Sequence, residues 1–182
     1  MKKAIFITVL TLGMIVSAYL CGTAQNHSAT TSVKINLSDV ISIDKGSAAI
    51  GGVVEFNYLT AEDYNSTKTA SVPTSLIVTS SKSFDIDVKA NGANFEKGND
   101  FIPVNVLTIK PVTGGPNPMN GTPSNVVLSA ADQKLVSGAD VGGALVLELD
   151  YEIPQSRSSS VDMMGKPSGT YTQTVTYTAT AR

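Results

Sequence analysis

The sequence predicts an all-β sandwich, and three observations lead to that prediction. Thr, Ser and Val are the most frequent residues, Trp is absent, and only 15% of the residues are charged. β-Branched residues favour strands, whereas charged residues usually fill helical surfaces. Short apolar stretches alternate with polar residues, and clusters of Gly, Pro, Asn and Ser separate them, as is typical of strands and turns. About eight such stretches without a helical period indicate a β-sandwich.

An export leader precedes the predicted domain. Two lysines stand at its start, residues 4–20 are almost entirely apolar, and residues 22–24 end in small side chains. This pattern predicts a signal peptide over residues 1–24, cleaved before Gln25. A membrane anchor is the alternative, because the apolar run is close to spanning length. A lipid on Cys21 is a further alternative, although a bulky residue stands before it where a lipobox has a small one.

Charge and cysteine content restrict the partners. The formal net charge is −2, and because Lys2 and Lys3 belong to the leader, the remaining chain carries about −4. Without a basic cluster, nucleic acid and anionic membrane surfaces are not expected partners. The single cysteine, Cys21, leaves with the leader. We therefore expect a mature protein that has no disulfide and is stabilised by burial and backbone pairing.

The alternation of apolar and polar residues predicts the strands, and two segments carry the clearest pattern. Phe84, Ile86 and Val88 alternate with acidic and basic residues, and residues 144–153 alternate in the same way. In the last strand Tyr171, Val175 and other apolar residues share one face, and threonines share the other. The predicted strands cover residues 33–37, 53–58, 76–78, 84–88, 101–109, 126–128, 144–153 and 171–180, and residues 40–43 are either a second short strand or a register shift.

Polar stretches rich in Gly, Pro and Asn separate these strands. Residues 61–74, 91–100, 111–123 and 156–169 are predicted loops. Residues 129–135 are predicted to form a helical turn or a bend.

The residue inventory predicts no enzymatic activity and no cofactor. His27 is the only histidine, and it lies in a polar stretch before the first predicted strand. A catalytic triad needs a histidine held by the fold, and a zinc site needs several His or Cys ligands.

Carboxylates form the one remaining candidate for chemistry. Glu148, Asp150 and Glu152 project from one face of one strand, and Asp85 and Asp87 repeat the pattern. Calcium binding or glycoside hydrolysis would use such groups. We interpret them instead as solvated strand faces that discourage edge-to-edge pairing.

Both ends of the mature chain carry a resemblance to a known family. The alternating segment Val33-Lys34-Ile35-Asn36-Leu37 follows the leader, and the chain closes with a Gly-Thr-Tyr-Thr-Gln-Thr-Val-Thr-Tyr pattern over residues 169–177. A Thr/Val/Gly-rich body lies between them. The chain thereby resembles pilins of the chaperone–usher type, closest to archaic pilins and spore coat protein U-like proteins.

This resemblance implies an immunoglobulin-like sandwich that lacks its last strand. In such pilins a periplasmic chaperone fills the gap until the N-terminal extension of the next subunit replaces it, and an outer-membrane usher secretes the filament. The implied layout is an extension over residues 25–38 and a pilin domain over residues 39–182. The implied donor residues are Ala29, Thr31, Val33, Ile35 and Leu37. The implied acceptor-groove edge is Tyr171, Val175, Tyr177 and Ala179.

The implied function is that of a structural subunit of a surface pilus, serving adhesion or biofilm formation through a head-to-tail homopolymer. Periodicity by itself leaves two alternatives open. Residues 33–37 could be the first strand of a closed sandwich. The protein could also be a monomeric secreted or surface binding module for a glycan or protein ligand.

Overall fold

The computed structural model describes residues 27–182. It divides into two units after Leu37. Residues 27–37 contain no helix or strand, and all the described regular structure belongs to Ser38–Arg182.

Ser38–Arg182 is an all-β structure, which confirms the predicted fold class. The described strands are β1 (Ile41–Ile43), β2 (Lys68–Ser80), β3 (Phe84–Ala90), β4 (Asn94–Lys97), β5 (Asp100–Pro103), β6 (Thr108–Val112), β7 (Thr122–Pro123), β8 (Val126–Val127), β9 (Gln133–Ala139), β10 (Gly142–Ile153) and β11 (Val175–Ala181). The described helices, each about one turn long, are α1 (Ala61–Tyr64), α2 (Gln155–Ser158), α3 (Val161–Met164) and a 3₁₀ turn at Val104–Val106.

Two antiparallel sheets and one hairpin organise these strands. The first sheet has the order β1-β2-β10-β6-β8, and the second has the order β11-β3-β9-β7. The hairpin consists of β4 and β5. Buried side chains from both sheets belong to one hydrophobic core, as expected for a sandwich.

Two strands illustrate why this sequence forms sheets with one buried face. In β3, Phe84, Ile86 and Val88 are completely buried, and the residues between them are half-buried. In β10, Leu149 is completely buried and its apolar neighbours at every second position are nearly so. Burying a large apolar side chain contributes about 1.5–3 kcal/mol. The alternation predicted from the sequence is therefore what holds the sandwich together.

The second strand is longer than predicted. Residues 61–74 were expected to be loop because they are polar and contain Pro73, yet β2 begins at Lys68. The pairing of β10 with β2 shifts register between the pair Leu147–Leu76 and the pair Leu149–Val72. Pro73 lies in that irregular stretch, where a missing backbone N–H interrupts no regular ladder.

The strand β9 was missed, since residues 129–135 were expected to be a turn or bend. Leu135 and Val136 are adjacent and both buried, which breaks the two-residue period. The cause is a register shift between β3 and β9, on either side of the pair Ile86–Val136. Such an irregularity places consecutive side chains on the same side of a strand.

Other segments also differ from their predictions. Residues 101–109 were expected to be one strand, but the 3₁₀ turn at Val104–Val106 separates β5 from β6. Residues 91–100 contain β4, which turns into β5 through Gly98 at φ +59°. The last strand begins at Val175 rather than at residue 171.

The polar stretches also contain short helices. The first, α1, starts with a capping box in which the Thr60 hydroxyl accepts from the Asp63 N–H and the Asp63 carboxylate accepts from the Thr60 N–H. Residues 156–169, expected to be loop, include most of α2 and all of α3.

Candidate interaction site at the open edge of β11

The last described strand, β11, is an edge strand. It pairs with β3 along its whole length and has no partner strand on its other side within the described residues. Two backbone bonds fix which groups face β3: the Thr174 carbonyl accepts from the Asn91 N–H at 2.9 Å, and the Arg182 N–H donates to the Ser83 carbonyl at 2.8 Å. Backbone groups alternate sides along a strand. The N–H and C=O groups of the even-numbered residues therefore point toward β3, and those of the odd-numbered residues point away from it, along the plane of the sheet.

We call the residues whose backbone groups point away from β3 the open edge; they are Val175, Tyr177, Ala179 and Ala181. Their side chains point toward the core, and the first three are partly buried against it. Each one presents an N–H and a C=O that no described strand pairs with. Unpaired strand groups of this kind are a template for an added strand.

One edge of the first sheet lies beside the open edge. Its terminal strand β1 has one partner, β2, and it lies next to β11. Ile41 and Ile43 of β1 are only partly buried although they pack against the core. Two sheet edges therefore leave apolar side chains partly uncovered on the same side of the sandwich.

Residues 52–59 follow β1 and the turns after it, and within the described part of the chain they pair with no strand. Val54, Phe56 and Tyr58 are half-buried against the core, whereas Val53 and Leu59 are more than three-quarters exposed. Residues 53–58 were predicted to be a strand; their side chains alternate as expected, but no described strand pairs with them. A segment with this side-chain pattern and an unpaired backbone offers N–H and C=O groups with which another chain can pair.

A hydrogen-bonded tyrosine pair stands beneath the open edge. The hydroxyl oxygens of Tyr177 and Tyr151 are 2.6 Å apart, which links β11 to β10 across the sandwich. Burial, together with the neighbouring Tyr151, raises the pKa of Tyr177 far above its ordinary value. The floor of this site is therefore uncharged and largely apolar.

The fourth predicted groove residue lies elsewhere. Tyr171 precedes β11, its hydroxyl donates to the Pro167 carbonyl at 2.8 Å, and the Lys97 ammonium lies 5.4 Å from its ring centre. The structure thus brings Val175, Tyr177 and Ala179 to one edge and places Tyr171 outside that strand.

The predicted donor residues all lie in a segment without regular structure. Val33, Ile35 and Leu37 are 81%, 80% and 89% exposed. Ala29 and Thr31 are exposed as well. A strand was predicted over residues 33–37, and the structure assigns none there. His27 is also exposed.

Three of the five carboxylates considered from sequence, Asp85, Asp87 and Glu152, make ion pairs, and Asp150 accepts a hydrogen bond from the Ser71 hydroxyl. Asp85 lies 3.2 Å from Lys134 and 2.8 Å from Arg182, and Asp87 lies 3.0 Å from Lys134. The Gly138 N–H, assisted by the two cations, lowers the pKa of Asp85 to about 2. Glu152 pairs with Lys110 at 2.6 Å in the same manner. Within residues 27–182 no group of three or more His, Cys, Asp or Glu is placed to hold a metal ion.

In comparisons with known proteins, no family model matches this chain and no curated protein matches it. None of the helices in residues 27–182 has the length and apolar content that crossing a membrane requires. The predicted leader, Cys21 and the cleavage site before Gln25 lie outside the described residues.

Proposed function

We propose that this protein is the structural subunit of a surface pilus, and that its subunits join by donor-strand exchange. The open edge of β11 carries the proposal, because four residues at every second position of the strand offer backbone groups that no described strand pairs with, beside a partly uncovered core. Adding a strand there satisfies the backbone and covers the apolar side chains in a single step.

The strand order supports an immunoglobulin-like sandwich without its last strand. Such sandwiches have strands A, B, E and D in one sheet and G, F and C in the other. The order β1-β2-β10-β6 corresponds to A-B-E-D, and the neighbours β11 and β3 correspond to F and C. In this scheme the open edge is the position of strand G.

The N-terminal extension, residues 25–38, has the composition that strand G requires. Its apolar residues alternate with polar ones, so that an extended chain presents one apolar face. Val33, Ile35 and Leu37 are exposed, and burying each in a neighbouring subunit contributes about 1.5–3 kcal/mol. Each backbone hydrogen bond to β11 adds about 0.5–1.5 kcal/mol.

Insertion of one subunit's extension into the next is a heterologous contact, which propagates into a filament. A periplasmic chaperone covers the open edge before assembly, because an unpaired edge beside an exposed core aggregates. An outer-membrane usher exchanges the chaperone for the next subunit. The filament is displayed at the cell surface, where it serves adhesion or biofilm formation.

The test is assembly with a variant lacking residues 25–37. Such a subunit keeps the open edge and loses the donor. We expect it to be captured by the chaperone and to shorten filaments when it is mixed with the full-length protein, since it accepts a strand and donates none. Filaments formed by the truncated protein alone would contradict the proposal and favour a different assembly mode. A protein that stays monomeric under all conditions would favour the binding-module alternative.

A further inference from the structure

The geometry of the open edge restricts how a donor strand can pair with it. Each strand pair within the two sheets is antiparallel. A strand that continues the second sheet in the same sense runs antiparallel to β11, and this pairing is somewhat more stable per residue than the parallel one.

Side-chain phase restricts the pairing further. The odd-numbered residues of β11 point toward the core, so the apolar donor residues must lie opposite Val175, Tyr177, Ala179 or Ala181. A slip of one residue would turn every apolar donor side chain to solvent. The allowed registers therefore differ by steps of two residues.

Two of the three nearest registers meet a specific obstacle. If Leu37 lay opposite Tyr177, Asp39 would lie opposite Val175 and would bring a charged side chain to the core-facing side of the edge. If Leu37 moved the other way, it would lie opposite Gln173. The Gln173 side chain is hydrogen-bonded to the Asn94 carbonyl and offers no apolar surface there.

We infer that the remaining register is the one used: Leu37 of one copy lies opposite Val175 of the next, Ile35 opposite Tyr177, and Val33 opposite Ala179. This inference rests on the proposed function and specifies its contact. All three large donor side chains then face apolar residues of β11. Thr31 lies opposite Ala181, and Ala29 extends past the end of the strand.

The residues whose side chains point away from the core in this register provide the test. There Lys34 lies opposite Thr178, and Asn36 lies opposite Thr176. Because the odd-numbered residues make the hydrogen bonds at this edge, these even-numbered pairs are non-hydrogen-bonded, with Cα atoms about 4.5 Å apart. A disulfide bridges Cα atoms about 4.4–6.8 Å apart, whereas diagonal neighbours are about 7–8 Å apart. A directly opposed cysteine pair should therefore cross-link, and a diagonal pair should not.

The experiment uses double-cysteine variants of the full chain, whose only natural cysteine is Cys21 in the predicted leader. Filaments are oxidised mildly and separated on a denaturing gel without reductant. We expect ladders of covalent multimers from K34C/T178C and N36C/T176C, and monomers from K34C/T176C, K34C/T180C and N36C/T180C. Reductant should collapse the ladders to monomer.

The outcomes separate the register from the proposed function. Ladders from K34C/T180C or K34C/T176C would overturn this register and leave donor-strand exchange standing. Ladders from N36C/T180C together with K34C/T178C would mean parallel insertion, and they would overturn the antiparallel arrangement. Filaments that form normally while none of the five variants cross-links would overturn any pairing of residues 34–36 with β11, and the proposed function with it.

Discussion

An aspartate at position 35 distinguishes a donor strand from an ordinary first strand. Ile35 is 80% exposed and lies in residues 27–37, outside the unit that contains the described strands. If this residue acts in a neighbouring subunit, Ile35→Asp leaves the stability of its own domain intact and disables the contact between subunits.

The size of the effect follows from two terms. Losing the burial of one large apolar side chain costs about 1.5–3 kcal/mol. Placing a polar group in an apolar groove without a partner costs about 1–3 kcal/mol more. Since each 1.4 kcal/mol is a factor of ten, the two terms weaken each junction by roughly 10²–10⁴-fold. An exposed position usually changes the free energy of unfolding by less than about 0.5 kcal/mol.

The assay combines filament counting by electron microscopy with thermal unfolding of the chaperone-bound subunit. The matched control is Asn36→Asp, which adds the same side chain one residue later on the opposite face of an extended strand. We expect Ile35→Asp to lose filaments while the chaperone-bound subunit accumulates. Asn36→Asp should assemble nearly as well as the unmodified protein, and both variants should unfold at nearly the same temperature.

Two results would refute the reasoning. If Ile35→Asp unfolds the monomer while Asn36→Asp does not, residues 33–37 belong to the core of their own sandwich. If the two variants assemble equally well, the apolar face of the extension makes no contact between subunits.

Three further predictions concern the leader, the edge and the ion pairs. Intact-mass measurement of protein from its native host should give a chain beginning at Gln25; a mass that retains residues 1–24 or carries a lipid would contradict cleavage there. Tyr177→Phe should lower the free energy of unfolding by about 0.5–1.5 kcal/mol in denaturant titrations, because Tyr151 loses its partner; an unchanged midpoint would contradict a role for that bond. Because its pKa is lowered, the Asp85 carboxylate should stabilise the fold above about pH 4, and this contribution should be lost as the pH falls toward 2. Asp85→Asn should therefore lower the free energy of unfolding by about 1 kcal/mol at pH 7 and by little at pH 2, whereas Asp132→Asn, at a more exposed position, should have a smaller effect at pH 7. Equal losses for Asp85→Asn at both pH values would contradict this linkage.

The sequence by itself determined the fold class and the best-patterned strands. In β3 and β10, apolar residues at every second position predicted one buried face, and Phe84, Ile86 and Leu149 are completely buried. This signal is local: when one face of a strand is buried, the alternation must appear in the sequence. The same reasoning identified the alternating apolar residues at positions 33–37, but it could not say whether they pack on their own domain or on a neighbouring copy.

Where the alternation fails, the cause lies in pairing between distant parts of the chain. Leu135 and Val136 are both buried because β9 shifts register against β3, which lies about 50 residues earlier. Pro73 is accommodated in β2 because β10 shifts register opposite it. Neither irregularity has a signal within the segment that contains it.

The open edge of β11 was decided by tertiary structure alone. Its sequence has the same alternation as an interior strand of a sheet, and nothing in it marks one side as unpaired. The edge exists because β3 occupies one side of β11 and no described strand occupies the other, and strand order depends on contacts between residues more than 80 positions apart. Tyr171 shows the same limit: it shares the phase of Val175 and Tyr177, but its hydroxyl bonds to Pro167 before the strand begins. Residue spacing fixes which side chains share a face, whereas only the folded chain fixes which backbone groups remain without a partner.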